Sequence, residues 1–166
     1  MLTVKVDTAG LIGSLTRLRE EFQRTGTNAV AQASSELVSN IVFKTLGPPP
    51  GPKPRFYKRT WRLVHGWGPA ARQFNIYMPP LSPYALTSTD EGSSLFQESE
   101  HGTYFRAENR VPYAPDVEYD PGTWKTPYPE TRGGYNIVGS SLDEMRAEGK
   151  FPKYVREAWK LAKDVV

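Results

Sequence analysis

Between Asp7 and Phe22 the apolar residues Leu11, Leu15, Leu18 and Phe22 recur at intervals of four, three and four, the period of an amphipathic helix. Asp7 or Thr8 is placed to cap it, and Gly26 follows its polar end as a stop. A second helix is predicted from about Thr27 to Leu46, with Val30, Ala33, Leu37, Ile41 and Val42 on one side and Gly47-Pro48 ending it. The two together predict a helical hairpin whose apolar stripes pack as core.

From Trp61 the period changes to two. Trp61, Leu63, His65 and Trp67 alternate with Arg62 and Val64, Gly66 to Pro69 marks a break, and Phe74, Ile76 and Met78 alternate with Asn75 and Tyr77. These predict one pair of strands. A second hairpin is predicted from Ser94–Glu98 and Thr103–Asn109, turned by Glu100-His101-Gly102. Near the end, Ser141 and Glu144 have capping-box spacing for a short helix stopping at Gly149, and Pro152 is suited to open a last helix. Val155, Ala158, Trp159, Ala162 and Val165 share a face of that helix. The expected fold class is α+β: an N-terminal helical hairpin, a mostly antiparallel sheet with long loops, and a C-terminal helix.

Length and composition fit one domain over residues 1–166, with two irregular segments. Pro48 to Pro54 holds five prolines in seven residues, an extended arm of roughly 20 Å. Its Gly-x-x-x-Gly-x-Lys resemblance to a phosphate loop fails, because prolines remove the amides a phosphate needs. The second segment, 120–139, is long, irregular and aromatic, with Trp124, Tyr128 and Tyr135 placed as interface anchors. Leu, Ile, Val and Phe make up only about a fifth of the chain, so the core is small.

The net charge of +3 conceals a segregation. Leu37 to Thr89 contains seven bases and no acid, whereas Asp90 to Glu148 contains twelve acids and five bases. Three arrangements suit such blocks: pairing within one chain, a nucleic-acid surface using the basic block, or a head-to-tail ring setting one block against its neighbour's. Arg55, Phe56, Tyr57, Lys58, Arg59, Trp61 and Arg62 interleave bases with aromatics, as binding to single-stranded nucleic acid requires.

Catalytic chemistry has little to use. With no cysteine there is no disulfide, thiolate metal site or cysteine nucleophile. Of the two histidines, His65 is expected to be packed or hydrogen-bonded and His101 to be a turn residue. Asp116, Glu118 and Asp120 suit a hard cation only if extended, and they lack the rest of a calcium loop. The expectation is a non-enzyme with no cofactor and no metal. The N-terminus lacks the apolar run of a signal peptide, and the most apolar stretch, Ala29 to Leu46, is interrupted by polar residues, so a cytoplasmic, non-membrane protein is expected.

The segment from Glu108 to Tyr119, with Asn109, Val111-Pro112-Tyr113-Ala114 and Glu118-Tyr119, resembles the Pro-Tyr-Ala hallmark of small neck proteins of long-tailed bacteriophages, the tail-completion or head-to-tail joining family. Arg59-Thr-Trp61 through Gly68-Pro69 resembles that family's arginine-tryptophan strand. Pro54-Arg55-Phe56 and Asp120-Pro121-Gly122 depart from its usual Thr-Gly and glycine positions. The resemblance implies a structural virion protein, assembled in the host cytoplasm, that forms a homo-oligomeric ring in the neck, a hexamer in preference to a dodecamer. Its neighbours would be head-connector, tail-terminator or tail-tube proteins, with DNA only passing through. The alternatives are the tail terminator itself and a basic single-stranded nucleic-acid binder.

Under this reading Pro112 ends a strand in a tight turn, Tyr113 buries its ring, and Glu118 meets Arg59 or Arg62. The candidate interface comprises Lys53, Arg55, Lys58, Arg59 and Arg62 of the basic block. Facing them would be Tyr113, Asp116, Glu118 and Asp120, with Trp124, Tyr128 and Tyr135 of the long loop.

Overall fold

The computed structural model describes residues 8–46, 61–80, 91–99, 102–119 and 136–163. In chain order they form α1 (Thr8–Leu46), α2 (Arg62–His65), α3 (Gly68–Gln73), β1 (Gly92–Ser99), β2 (Gly102–Asn109), α4 (Ala114–Tyr119), α5 (Ile137–Ala147) and α6 (Lys150–Lys163). The class is α+β, as the patterning predicts. The Pro48 to Pro54 arm lies outside the described residues, and so does most of the 120–139 segment. That segment ends sooner than expected, because α5 already begins at Ile137.

The expected helical hairpin is corrected to a single continuous helix of 39 residues. Gly26 sits exposed inside it, with open space where a Cβ would stand. An interior glycine costs a helix about 1 kcal/mol, too little to end one whose flanking Thr25 and Ala29 are buried against the body. Many helices end at a proline or a left-handed residue, and neither occurs between Thr8 and Leu46.

The strand pair expected over Trp61–Met78 is also corrected, to α2, α3 and an irregular segment from Ile76 to Pro80. Pro69 stands in the first turn of α3, where its missing N–H is harmless, and Ala70 and Ala71 are small enough to be fully buried there. Gly66 and Gly92 bring α2 and β1 into backbone proximity. A Cβ on Gly92 would overlap the Gly66 carbonyl, and one on Gly66 would overlap the Asn109 side chain. His65 is hydrogen-bonded as expected, its Nε2 lying 2.6 Å from the Pro79 carbonyl oxygen.

The second predicted hairpin is present. β1 and β2 pair antiparallel, with Gly92 opposite Asn109, Phe96 opposite Phe105 and Ser99 opposite Gly102. Phe105 and Ala107 point to the core, and Phe105 meets Phe74 edge-on at 5.2 Å. Leu95, Gln97, Tyr104 and Arg106 are exposed, so the two-residue alternation reflects a sheet with one covered face.

The core is small, as composition requires. Val38 and Val42 of α1 pack with Val64, Ala70 and Ala71, bordered by Trp61, Trp67, Phe74 and Phe105. A second cluster joins Ile41 to Ile137, with Leu63, Trp67 and Tyr113 around them.

The capping box expected at Ser141 is corrected: Ser141 is fully buried within α5 and its hydroxyl donates to the Ile137 carbonyl at 2.7 Å. α5 does stop where predicted, with Gly149 left-handed at φ 62. α6 opens at Lys150, so Pro152 lies in its first turn without leading it. α6 runs antiparallel to α1: Lys150 pairs with Glu36 at 2.9 Å, while Trp159 stacks on Phe22 at 4.6 Å. No helix among the described residues is long and apolar enough to cross a membrane.

Candidate functional site

The residues that carry the Pro-Tyr-Ala pattern form a corner where β2 turns into α4. Asn109, the last residue of β2, organises it with both ends of its amide. Its Nδ2 donates to the Leu63 carbonyl at 2.8 Å, and its Oδ1 accepts from the Val111 amide at 3.1 Å. The Arg110 amide donates to the Glu91 carbonyl at 2.6 Å, and the Ala114 amide closes the turn onto the Val111 carbonyl at 2.8 Å. Pro112 therefore sits where no donor is needed, and Val111 beneath it is buried. The expected tight turn is present.

Tyr113 is half-buried against Ile41 and Ile137, with the Arg62 guanidinium 5.9 Å from its ring centroid. Arg62 also grips Glu91: its Nε reaches Oε2 at 2.8 Å and its Nη2 reaches Oε1. This bidentate bond holds the Glu91 carboxyl below the usual carboxylate range and raises the guanidinium above its ordinary value. A base of the basic block is thus satisfied by an acid of the acidic block in the same chain.

Glu118 does not meet Arg62, which corrects that expectation, and Arg59 lies outside the described residues. The carboxylate instead accepts from the first amides of α5: Ile137 at 2.8 Å, Val138 at 2.6 Å and Gly139 at 3.3 Å. Those amides have no partner inside their own helix, and the positive end of the helix favours an anion there. Asn136 occupies the N-cap position but is left-handed at φ 42 and caps with no side-chain bond. Glu118 thus supplies the cap from another helix, tying α4 to α5 across the intervening sequence.

Among the twelve candidate interface residues, the structure brings together Arg62, Tyr113 and Glu118 around this corner. Asp116 lies on α4; the segment is helical over Ala114–Tyr119, which removes the extended geometry that a carboxylate ladder for a cation would need. Lys53, Arg55, Lys58, Arg59, Asp120, Trp124, Tyr128 and Tyr135 fall outside the described residues, as does His101. Among the described residues no group of three His, Cys, Asp or Glu side chains is placed to hold a metal.

Sequence reasoning missed Glu91 and the structural part played by Asn109. Glu91 lies 29 positions from Arg62, beyond any local spacing rule. Asn109 directly before Arg110-Val111-Pro112 is a recognisable turn former, and that was its available signal.

A cavity of about 280 Å³ opens beside the corner, lined by Leu63, Trp67, Asn109, Pro115, Glu118 and Ile137 among others. Its polar lining is engaged by the chain itself, through the Asn109 and Glu118 bonds above. A cluster on the outer face of the hairpin behaves similarly: Glu108 accepts from Arg110 at 2.8 Å and from Arg106, and these bonds hold its carboxyl below the usual range. No family model matches this chain, and no curated protein or solved structure matches it either.

Proposed function

We propose that this chain is a structural subunit of the neck of a long-tailed bacteriophage, a ring-forming protein that joins the tail to the head connector and catalyses no reaction. The observation that carries the reading is how the Pro-Tyr-Ala corner uses its polar groups. Asn109 fixes the turn, Arg62 clamps Glu91, and Glu118 caps α5, so side chains of the residues that carry the resemblance tie the corner to the elements around it. A corner built this way is a rigid mount for neighbouring surfaces, which is what a ring subunit needs at the junction between its sheet and its C-terminal helices.

The test is negative-stain electron microscopy of the purified full chain, with light scattering at the same concentration. Closed rings with a channel wide enough for duplex DNA are expected. A protein that stays monomeric at high concentration and retards single-stranded DNA in a salt-dependent manner would overturn the reading in favour of nucleic-acid binding.

A further inference from the structure

The helices differ in how they balance charge. α1 mixes Arg17, Arg19, Arg24 and Lys44 with Glu20, Glu21 and Glu36, and α5 sets Asp143 and Glu144 against Arg146. α6 instead carries Lys150, Lys153, Arg156, Lys160 and Lys163 against a single acid, Glu157. Lys150 is taken up by Glu36 at 2.9 Å and Glu148 at 3.2 Å. Lys153, Arg156 and Lys160 are exposed. Arg156 and Lys160 have no ion-pair partner among the described residues, and Lys153 has only the long contact to Glu157 at 3.8 Å.

These three bases form a line. At 3.6 residues per turn, positions 153, 156 and 160 fall within an arc of about 60°, on the side of α6 opposite the buried Ala158. They span roughly 10 Å along the axis, the length over which one DNA strand presents about three phosphates. Unpaired cations in a row, facing water, match a partner with regularly repeated negative charge.

The neighbouring side chains narrow the kind of polyanion. A helix that lies in a bilayer surface needs its apolar side free to insert, but α6 turns that side to α1, burying Ala158 and stacking Trp159 on Phe22 at 4.6 Å. Binding to unpaired bases needs open aromatic rings beside the cations; Trp159 is engaged by Phe22, and Tyr154 is half-buried. What the face offers is contact with phosphates alone, which a duplex presents most densely.

We propose that the outer face of α6, through Lys153, Arg156 and Lys160, binds the phosphate backbone of duplex DNA without regard to sequence. This goes beyond the ring reading and does not rest on it: rings are seen by microscopy, whereas DNA binding is read separately.

The test is fluorescence anisotropy of a short labelled DNA duplex titrated with the purified full chain at several salt concentrations. Replacing all three bases, Lys153→Gln with Arg156→Gln and Lys160→Gln, should lower the slope of log affinity against log salt by about three and weaken binding at least tenfold at about 50 mM salt. The single variant Lys160→Gln should lower the slope by about one, and circular dichroism checks that each variant is folded. A matched variant, Arg17→Gln with Arg72→Gln and Arg106→Gln, removes the same charge from exposed positions elsewhere and should keep both slope and affinity. No binding by the wild type overturns the proposal, and so does an equal loss in the matched variant, which would trace the binding to net charge. Tighter binding to single-stranded DNA, to polyglutamate or to vesicles of anionic phospholipid than to the duplex would also overturn it, each naming a different partner for this face.

Discussion

Along α1 the residues before Thr25 and those from Thr25 to Leu46 repeat apolar side chains at the same helical spacing, but they have opposite surroundings. Val38 is 1% exposed and Ile41 4%, covered by α2, α3, α5 and the hairpin, while Leu15 and Ile12 face solvent. The covered half is also pinned by charge: Lys44 pairs with Glu144 at 2.8 Å, and Lys150 with Glu36 at 2.9 Å. Among the described residues the exposed half has only the ion pair Arg24–Glu21 within the helix, which is worth little at the surface. Periodicity specifies which side of a helix is apolar. What covers that side depends on elements far away in sequence, and for the first half of α1 the described residues supply almost none.

Core truncation is the sharpest way to break the comparison. Ile41→Ala should cost about 2–5 kcal/mol, because it empties space between α1 and Ile137. Leu15→Ala, the same kind of truncation on the other half, should stay within about 0.5 kcal/mol in the dispersed protein. Urea unfolding followed by circular dichroism measures both, and equal losses would mean that the two halves are equally packed.

A smaller effect of opposite sign is expected at the junction of the halves. Gly26 is helical, exposed and free of neighbours at the Cβ position, so Gly26→Ala should stabilise by about 0.5–1 kcal/mol. A loss of stability in the same urea assay would show that the junction bends or breaks there, as a helical hairpin would require.

The smallest effect concerns pH. Hydrogen bonds to Glu36 and then Glu148 raise Lys150 above its ordinary value of 10.5. A lysine raised in the folded state contributes its full stability below that ordinary value and loses it as pH climbs through the raised folded value. Thermal midpoints should therefore decline on the alkaline side, and Lys150→Met should flatten that decline without changing the profile near neutrality. An unchanged alkaline slope would remove the pair from the account of why this half is held.

The same comparison explains what was legible in the sequence. The β1–β2 hairpin was, because Phe105 and Ala107 alternate with exposed residues and a turn follows the first strand. The end of α5 was legible at Gly149, where the chain needs a left-handed residue. Gly26 misled because glycine is both a terminator and a tolerated interior residue, and only the burial of Thr25 and Ala29 decides between them. The alternation from Trp61 to Trp67 imitates a strand, although the close contact of Gly66 with Gly92 and the proline at the start of α3 favour short helical turns. The cap on α5 could not be read locally at all: the rule looks for it just before the helix, and Glu118 comes from 19 residues upstream of Ile137. Glu118 was singled out as a site residue, but for a charge pairing that the backbone amides of α5 replace.

The central claim is that the described residues leave the first half of α1 uncovered while they bury the second half. Amide hydrogen exchange, read at residues 12–24 and 34–45 of the same protein at dispersing concentration, tests it most directly. Residues 34–45 should exchange slowly, while residues 12–24 should exchange fast. Strong protection of residues 12–24, equal to that of residues 34–45, would contradict the account.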